Sequence, residues 1–210
     1  AIMTGASNVT IGYAAHDDAH AADADNISIG TNALGGSHSG GAVSANIAIG
    51  GNALSGTMNA GHYNIGLGYE AAKIVNSGDR NIAIGGYAFN AADGAESDNI
   101  AIGYDALGNV NSDSIVSNLA IGNYALDAIG TNAHTGEMAI GHQALSGLTT
   151  GSQNLAIGYQ ALMLLEVGDQ NIAIGRNALD ACDGTESRNI AIGQGTMGAM
   201  DEGGGADDDN

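Results

Sequence analysis

The chain has 210 residues and a mass of 20.7 kDa, with 35 Gly, one Phe and neither Trp nor Pro, so it lacks the bulky side chains that fill a conventional domain of this length. Its hydrophobic content of 44% argues against disorder, which means that the apolar residues must be small and regularly placed. A formal charge of -19, with Lys73, Arg80, Arg176 and Arg188 as the only Lys and Arg residues, excludes nucleic acid as a partner, and no run of eighteen apolar residues offers a membrane-spanning helix.

Ala1 and the residues after it lack the charged and apolar regions of a secretion signal, as expected for a mature form or a piece of something longer. The first patterned element begins at Asn8, and its pattern then recurs along the chain. The segment Asn-Ile-Ala-Ile-Gly-x-x-Ala-Leu, complete at residues 46–54 and 171–179, starts at Asn8, Asn26, Asn46, Asn64, Asn81, Asn99, Asn118, Glu137, Asn154, Asn171 and Asn189, about every 18 residues. The residue after the start is Val, Ile, Leu or Met throughout, and the third is Ile, or Leu at Leu67. The fourth is always Gly, from Gly12 to Gly193. Branched residues two apart around a small one are strand periodicity, and a glycine in every unit disfavours helix.

A longer period overlies the first. Gly78-Asp79-Arg80-Asn81 returns as Gly168-Asp169-Gln170-Asn171, and Asp93-Gly94-Ala95-Glu96-Ser97 as Asp183-Gly184-Thr185-Glu186-Ser187, so five units form a block of about 90 residues that has been duplicated. In that register the lone Cys182 stands where the earlier block has Ala92, and it reads as a small hydrophobe in a tight interior slot.

Units of this length predict a β-solenoid over 1–197, with a Gly/Asp-rich tail or linker over 198–210. Ile residues and Asn side chains should stack into columns, and the repeat glycine should serve a positive-φ corner or a close backbone approach. The small residue between the two branched ones, Ala in eight units and Thr10, Ser28 or Gly66 in the others, predicts a flat outer strip. Such a strip is either exposed filler or the surface on which other copies pack.

The motif resembles the head repeat of trimeric autotransporter adhesins. It is closer still to the Asn-x-Ala-Ile-Gly-Tyr-Gln-Ala-Leu arrays of viral tail fibres, which Asn154-Leu155-Ala156-Ile157-Gly158-Tyr159-Gln160-Ala161-Leu162 matches closely. The resemblance covers residues 8 to about 197. It implies an all-β, left-handed parallel β-roll of about eleven coils, assembled as a homotrimer. It also implies the structural and adhesive shaft of a viral tail fibre or similar virion appendage that attaches to a host receptor or glycan. The alternative is the head of a bacterial surface adhesin at the cell exterior.

Enzyme chemistry is not expected. Left-handed β-helix acyltransferases place a branched residue at every sixth position, whereas the residues six and twelve beyond Ile84 are Asn90 and Glu96. The histidines His16, His20, His38, His62, His134 and His142 share no register. His16-Asp17-Asp18-Ala19-His20 has the residue types of a metal site but is expected to be a solvated turn. Asp93 to Asp98 and Asp183 to Glu186 offer carboxylates of the kind calcium takes, without a calcium-loop spacing. Calcium is therefore left open, and no catalytic, cofactor-binding or metal-ligating residue is assigned. Tyr13, Tyr69, Tyr104 and Tyr159, with Tyr87 and Tyr124 one place later, are expected to cap corners, with sugar contact as the alternative. The acidic composition either keeps an apolar repeat in solution or suits a salty setting.

Overall fold

The computed structural model describes residues 7–17, 20–38, 40–90, 96–109, 115–127, 134–180 and 186–197. Cys182, Ala92, Asp93, Asp183 and the segment 198–210 lie outside them. Among the described residues there are strands and turns and no helix. Fourteen short strands follow in order: β1 (Val9–Ile11), β2 (Ile27–Ile29), β3 (Ile47–Ile49), β4 (Ile65–Leu67), β5 (Ile82–Ile84), β6 (Ile100–Ile102), β7 (Ile115–Val116), β8 (Leu119–Ile121), β9 (His134–Thr135), β10 (Met138–Ile140), β11 (Gly151–Ser152), β12 (Leu155–Ile157), β13 (Ile172–Ile174) and β14 (Ile190–Ile192).

The repeat triplets form one 11-stranded parallel sheet in the order β1-β2-β3-β4-β5-β6-β8-β10-β12-β13-β14. Every step is in register, from Val9 opposite Ile27 to Ile174 opposite Ile192, so equivalent residues stand in columns. Successive partners are 17 to 20 residues apart, one winding of a parallel β-solenoid. A second line of parallel pairing runs two residues before the ladder residue in several windings, through β7, β9 and β11 and through the bridges Ala24 to Ser44 and Ser44 to His62. A three-residue strand is far too short to stand alone, and its stability comes from the windings on either side.

Asparagine joins the windings from within. The Asn64 side-chain oxygen accepts the backbone N–H of Asn81 at 2.9 Å and its side-chain amide at 3.1 Å, while that amide also donates to the Glu96 carbonyl of the next winding at 2.7 Å. The same pattern recurs from Asn26 to Asn171, all fully buried or nearly so. These columns satisfy backbone groups that a buried turn would otherwise leave unpaired.

The side-chain orientation reverses one expectation. The small residue of each triplet points inward: Ala48, Ala83, Ala101, Ala120, Ala139, Ala156 and Ala173 are completely buried, while their Ile neighbours face out and are half-buried or exposed. The interior holds that Ala column, the Ala-Leu pair after it (Ala106 and Leu107, for example) and loop residues such as Met58, Val75 and Leu165. A winding of about 18 residues encloses too narrow a section for Ile at the strand position. The small residue is therefore the one that fits inside. Ala101→Leu should cost roughly 1–3 kcal/mol by overpacking, read as a shift in the denaturation midpoint. An unchanged midpoint would place this column at the surface.

Candidate functional site

Three features of the rod can do chemistry or recognition. The first is the outer face of the main sheet, where two parallel columns of Ile, Leu, Val and Met run its length. They are mostly half-buried through the middle, with Leu67 and Met138 exposed, and reach 58% exposure at Ile11 and 65% at Ile192, where a strand flanks them on one side only. At about 4.8 Å per step, ten steps span about 48 Å. Two columns of branched side chains over that length make an apolar stripe on the order of 500 Å², at the upper end of what a single chain leaves in water.

The second is a row of rings along one edge. Tyr69, Tyr87, Tyr104 and Tyr124 follow one another edge to face with centroids 5.4, 5.7 and 5.6 Å apart. His142 continues the row at 6.0 Å, Tyr159 stacks on it at 5.3 Å, and the Arg176 guanidinium lies 5.7 Å from the Tyr159 centroid. Tyr69, Tyr104, His142 and Tyr159 remain exposed, so the rings pack on one another rather than into the core. The alternation of positions five and six after the repeat Asn is what lets neighbouring rings meet at right angles, the arrangement their quadrupoles favour.

The third feature is buried. His16 and His38 converge on Asp23: the His16 Nε2 lies 3.0 Å and the His38 Nδ1 2.7 Å from the same carboxylate oxygen, and all three side chains are fully buried. Their rings lie 5.2 Å apart. That oxygen also accepts the His20 N–H at 2.8 Å, and the other carboxylate oxygen accepts the Val43 N–H at 2.8 Å. Burial pushes the Asp23 carboxyl up, but the hydrogen bonds from Val43, His38, His16 and His20 outweigh it and hold it below the ordinary value. Burial lowers His16 below the ordinary histidine value, against the opposing hydrogen bond to Asp23.

The solvated turn expected at His16-Asp17-Asp18-Ala19-His20 is therefore corrected at its first member. Asp17 and His20 are exposed and Asp18 and Ala19 lie outside the described residues, but His16 is buried because it occupies the leucine slot of its unit. It stands eight residues after Asn8, as Leu34 does after Asn26, and its N–H donates to the Ala33 carbonyl as Leu34 does to Ala53. The slot was the signal that could have found the site. His134 is also buried, in a different winding, and His62 accepts the Ser44 N–H at 3.1 Å.

Of the acidic turns at which calcium is left open, Glu96 and Glu186 are buried, and Asp98 binds the Arg80 guanidinium through both oxygens at 2.6 and 2.9 Å. One further carboxyl stands apart. Glu137 takes the place of Asn in the ladder, accepting the Asn154 N–H at 2.9 Å, and burial pushes it up to about 8. Comparison with protein-family models, curated proteins and solved structures gives no match to this chain.

Proposed function

We propose that this chain is a structural shaft that assembles side by side with two further copies of itself, left-handed in its winding, in a viral tail fibre or similar virion appendage serving attachment to a host surface. The observation that carries the reading is the outward aliphatic face, two in-register columns wide and as long as the sheet. A parallel-sided apolar stripe of constant width fits a second straight rod of the same pitch better than it fits a compact partner. Identical columns of branched side chains interdigitate along their whole length. Three copies around one axis bury one such face each. The motif resemblance supports the appendage and its adhesive role. A rod of this kind acts by stiffness and by presenting weak surface contacts in several copies, which multiplies their strength.

Native mass measurement tests the assembly. The wild-type chain should run as a trimer, and Ile102→Asp, in the middle of the outer face, should give a folded monomer with an unchanged β-sheet circular-dichroism spectrum. A wild-type monomer at every concentration would end the proposal. Antibodies against the rod test its place: labelling of fibres on purified virus particles supports the shaft, and labelling of a bacterial outer surface supports the adhesin head instead.

A further inference from the structure

We propose that His16, Asp23 and His38 form a binding site for a first-row transition-metal dication of the zinc class, which staples the first described winding to the second. The inference is independent of what the rod is attached to. One nitrogen from each imidazole and one carboxylate oxygen lie within 4.8 Å of one another, on fully buried side chains. A tetrahedral ion with bonds of about 2.0–2.1 Å holds its ligand atoms about 3.3 Å apart; three would come from these side chains and the fourth from a water molecule. The His16–Asp23 and His38–Asp23 separations of 3.0 and 2.7 Å need to open by about 0.3 and about 0.6 Å to admit it.

The donor set decides the class of ion. Two imidazoles and one carboxylate suit zinc, cobalt, nickel or ferrous iron, whereas calcium and magnesium take oxygen ligands. Ligation moves no net proton off the histidines: each neutral ring shifts its hydrogen from the inner nitrogen to the outer one. The outer atoms, His16 Nδ1 and His38 Nε2, have no hydrogen-bond partner among the described residues, so each shifted hydrogen is a buried donor without a protein acceptor, at a cost of about 1–3 kcal/mol that the metal–ligand bonds must offset. The carboxylate is held by the N–H groups of His20 and Val43 at 2.8 Å each, which fix the orientation of the ligand.

The placement gives the site its purpose. His16 and Asp23 lie between β1 and β2, and His38 lies between β2 and β3, so an ion at this point crosslinks adjacent windings. In a solenoid each winding is held by its neighbours alone, and β1 has one neighbouring strand in the sheet. Metal bound there should slow opening at that end and leave the middle of the rod unaffected.

The test uses the full chain, stripped with a chelator and titrated with Zn²⁺ and, for its visible spectrum, Co²⁺. The expected result is one high-affinity ion per chain, a four-coordinate Co²⁺ absorption band, and X-ray absorption at the zinc edge showing two imidazoles. Amide exchange should slow at Val9 and His16 on loading and stay constant in β8. His38→Gln and Asp23→Asn should each weaken binding by about 100-fold or more, while Asp17→Asn, an exposed neighbour, should not. Should either site variant fail to fold, the absorption edge of the wild-type protein decides alone. Oxygen-only coordination, affinity unchanged in a folded His38→Gln, or no tight binding at all would overturn the site and assign any uptake to the acidic surface.

Discussion

Gly85→Ala should lower the stability of the rod by more than about 3 kcal/mol, whereas Gly86→Ala, one residue away, should leave it within about 0.5 kcal/mol of wild type. The two glycines face different demands. Gly85 has φ +132°, a conformation that side chains of L residues rarely adopt, and a Cβ placed on it would lie 2.7 Å from the carbonyl carbon of Gly103 and inside contact with its oxygen. Nothing there can yield, because the obstacle is the backbone of the neighbouring winding. Gly86 has no such dihedral, and its Cβ would meet only the Tyr104 ring at 3.6 Å, an ordinary contact. Because every winding leans on the next, the damage at Gly85 should also uncouple the windings before it from those after it, replacing one unfolding transition by two. Denaturant titration followed by circular dichroism reads both effects. Equal midpoints for the two variants would remove the close stacking of repeat glycines as the reason for their constancy.

The repeat glycine was legible in the sequence, as were the strand triplets, their spacing and the asparagine ladder, because each depends on local chemistry repeated at a fixed interval. Which side of the triplet faces inward was not. Alternation in Ile82-Ala83-Ile84 shows that two faces exist, and ordinary experience puts the larger residues inside; here the cross-section is too small, so Ala83 is buried and the Ile pair faces out. The composition already held that answer, since a chain with so few large side chains has a narrow interior to fill. The His16–Asp23–His38 cluster was hidden for another reason. Its members are spread over 23 residues and two windings, and His16 becomes visible as a buried residue only when placed in the leucine column beside Leu34. Apolar columns are shared by all units and can be read from any of them, whereas a feature of one winding leaves no period.

Glu137 is likewise a departure in a single unit, and its effect should depend on pH. Eight asparagines from Asn26 to Asn171 donate from the side-chain amide to a carbonyl of the next winding; Glu137 has a hydrogen to donate only while it is protonated. Burial holds its carboxyl up at about 8, against about 4.5 for a free glutamate. The folded chain therefore keeps a proton that the unfolded chain releases through the interval between those values. The stabilising effect of that proton is complete below about pH 4.5. It declines by up to about 1.4 kcal/mol per pH unit as pH rises and is lost above about pH 8. Glu137→Gln removes the titration while keeping the length of the side chain and adding the permanent donor. Its advantage over wild type should be near its minimum at pH 4.5 and should grow by a few kcal/mol by pH 8. The comparison cancels the many surface carboxylates, which titrate alike in both proteins. Denaturant midpoints for the pair at pH 4.5, 6 and 8 give the difference directly; curves that stay parallel across that range would mean that Glu137 is already charged in the folded rod and that another group absorbs its cost.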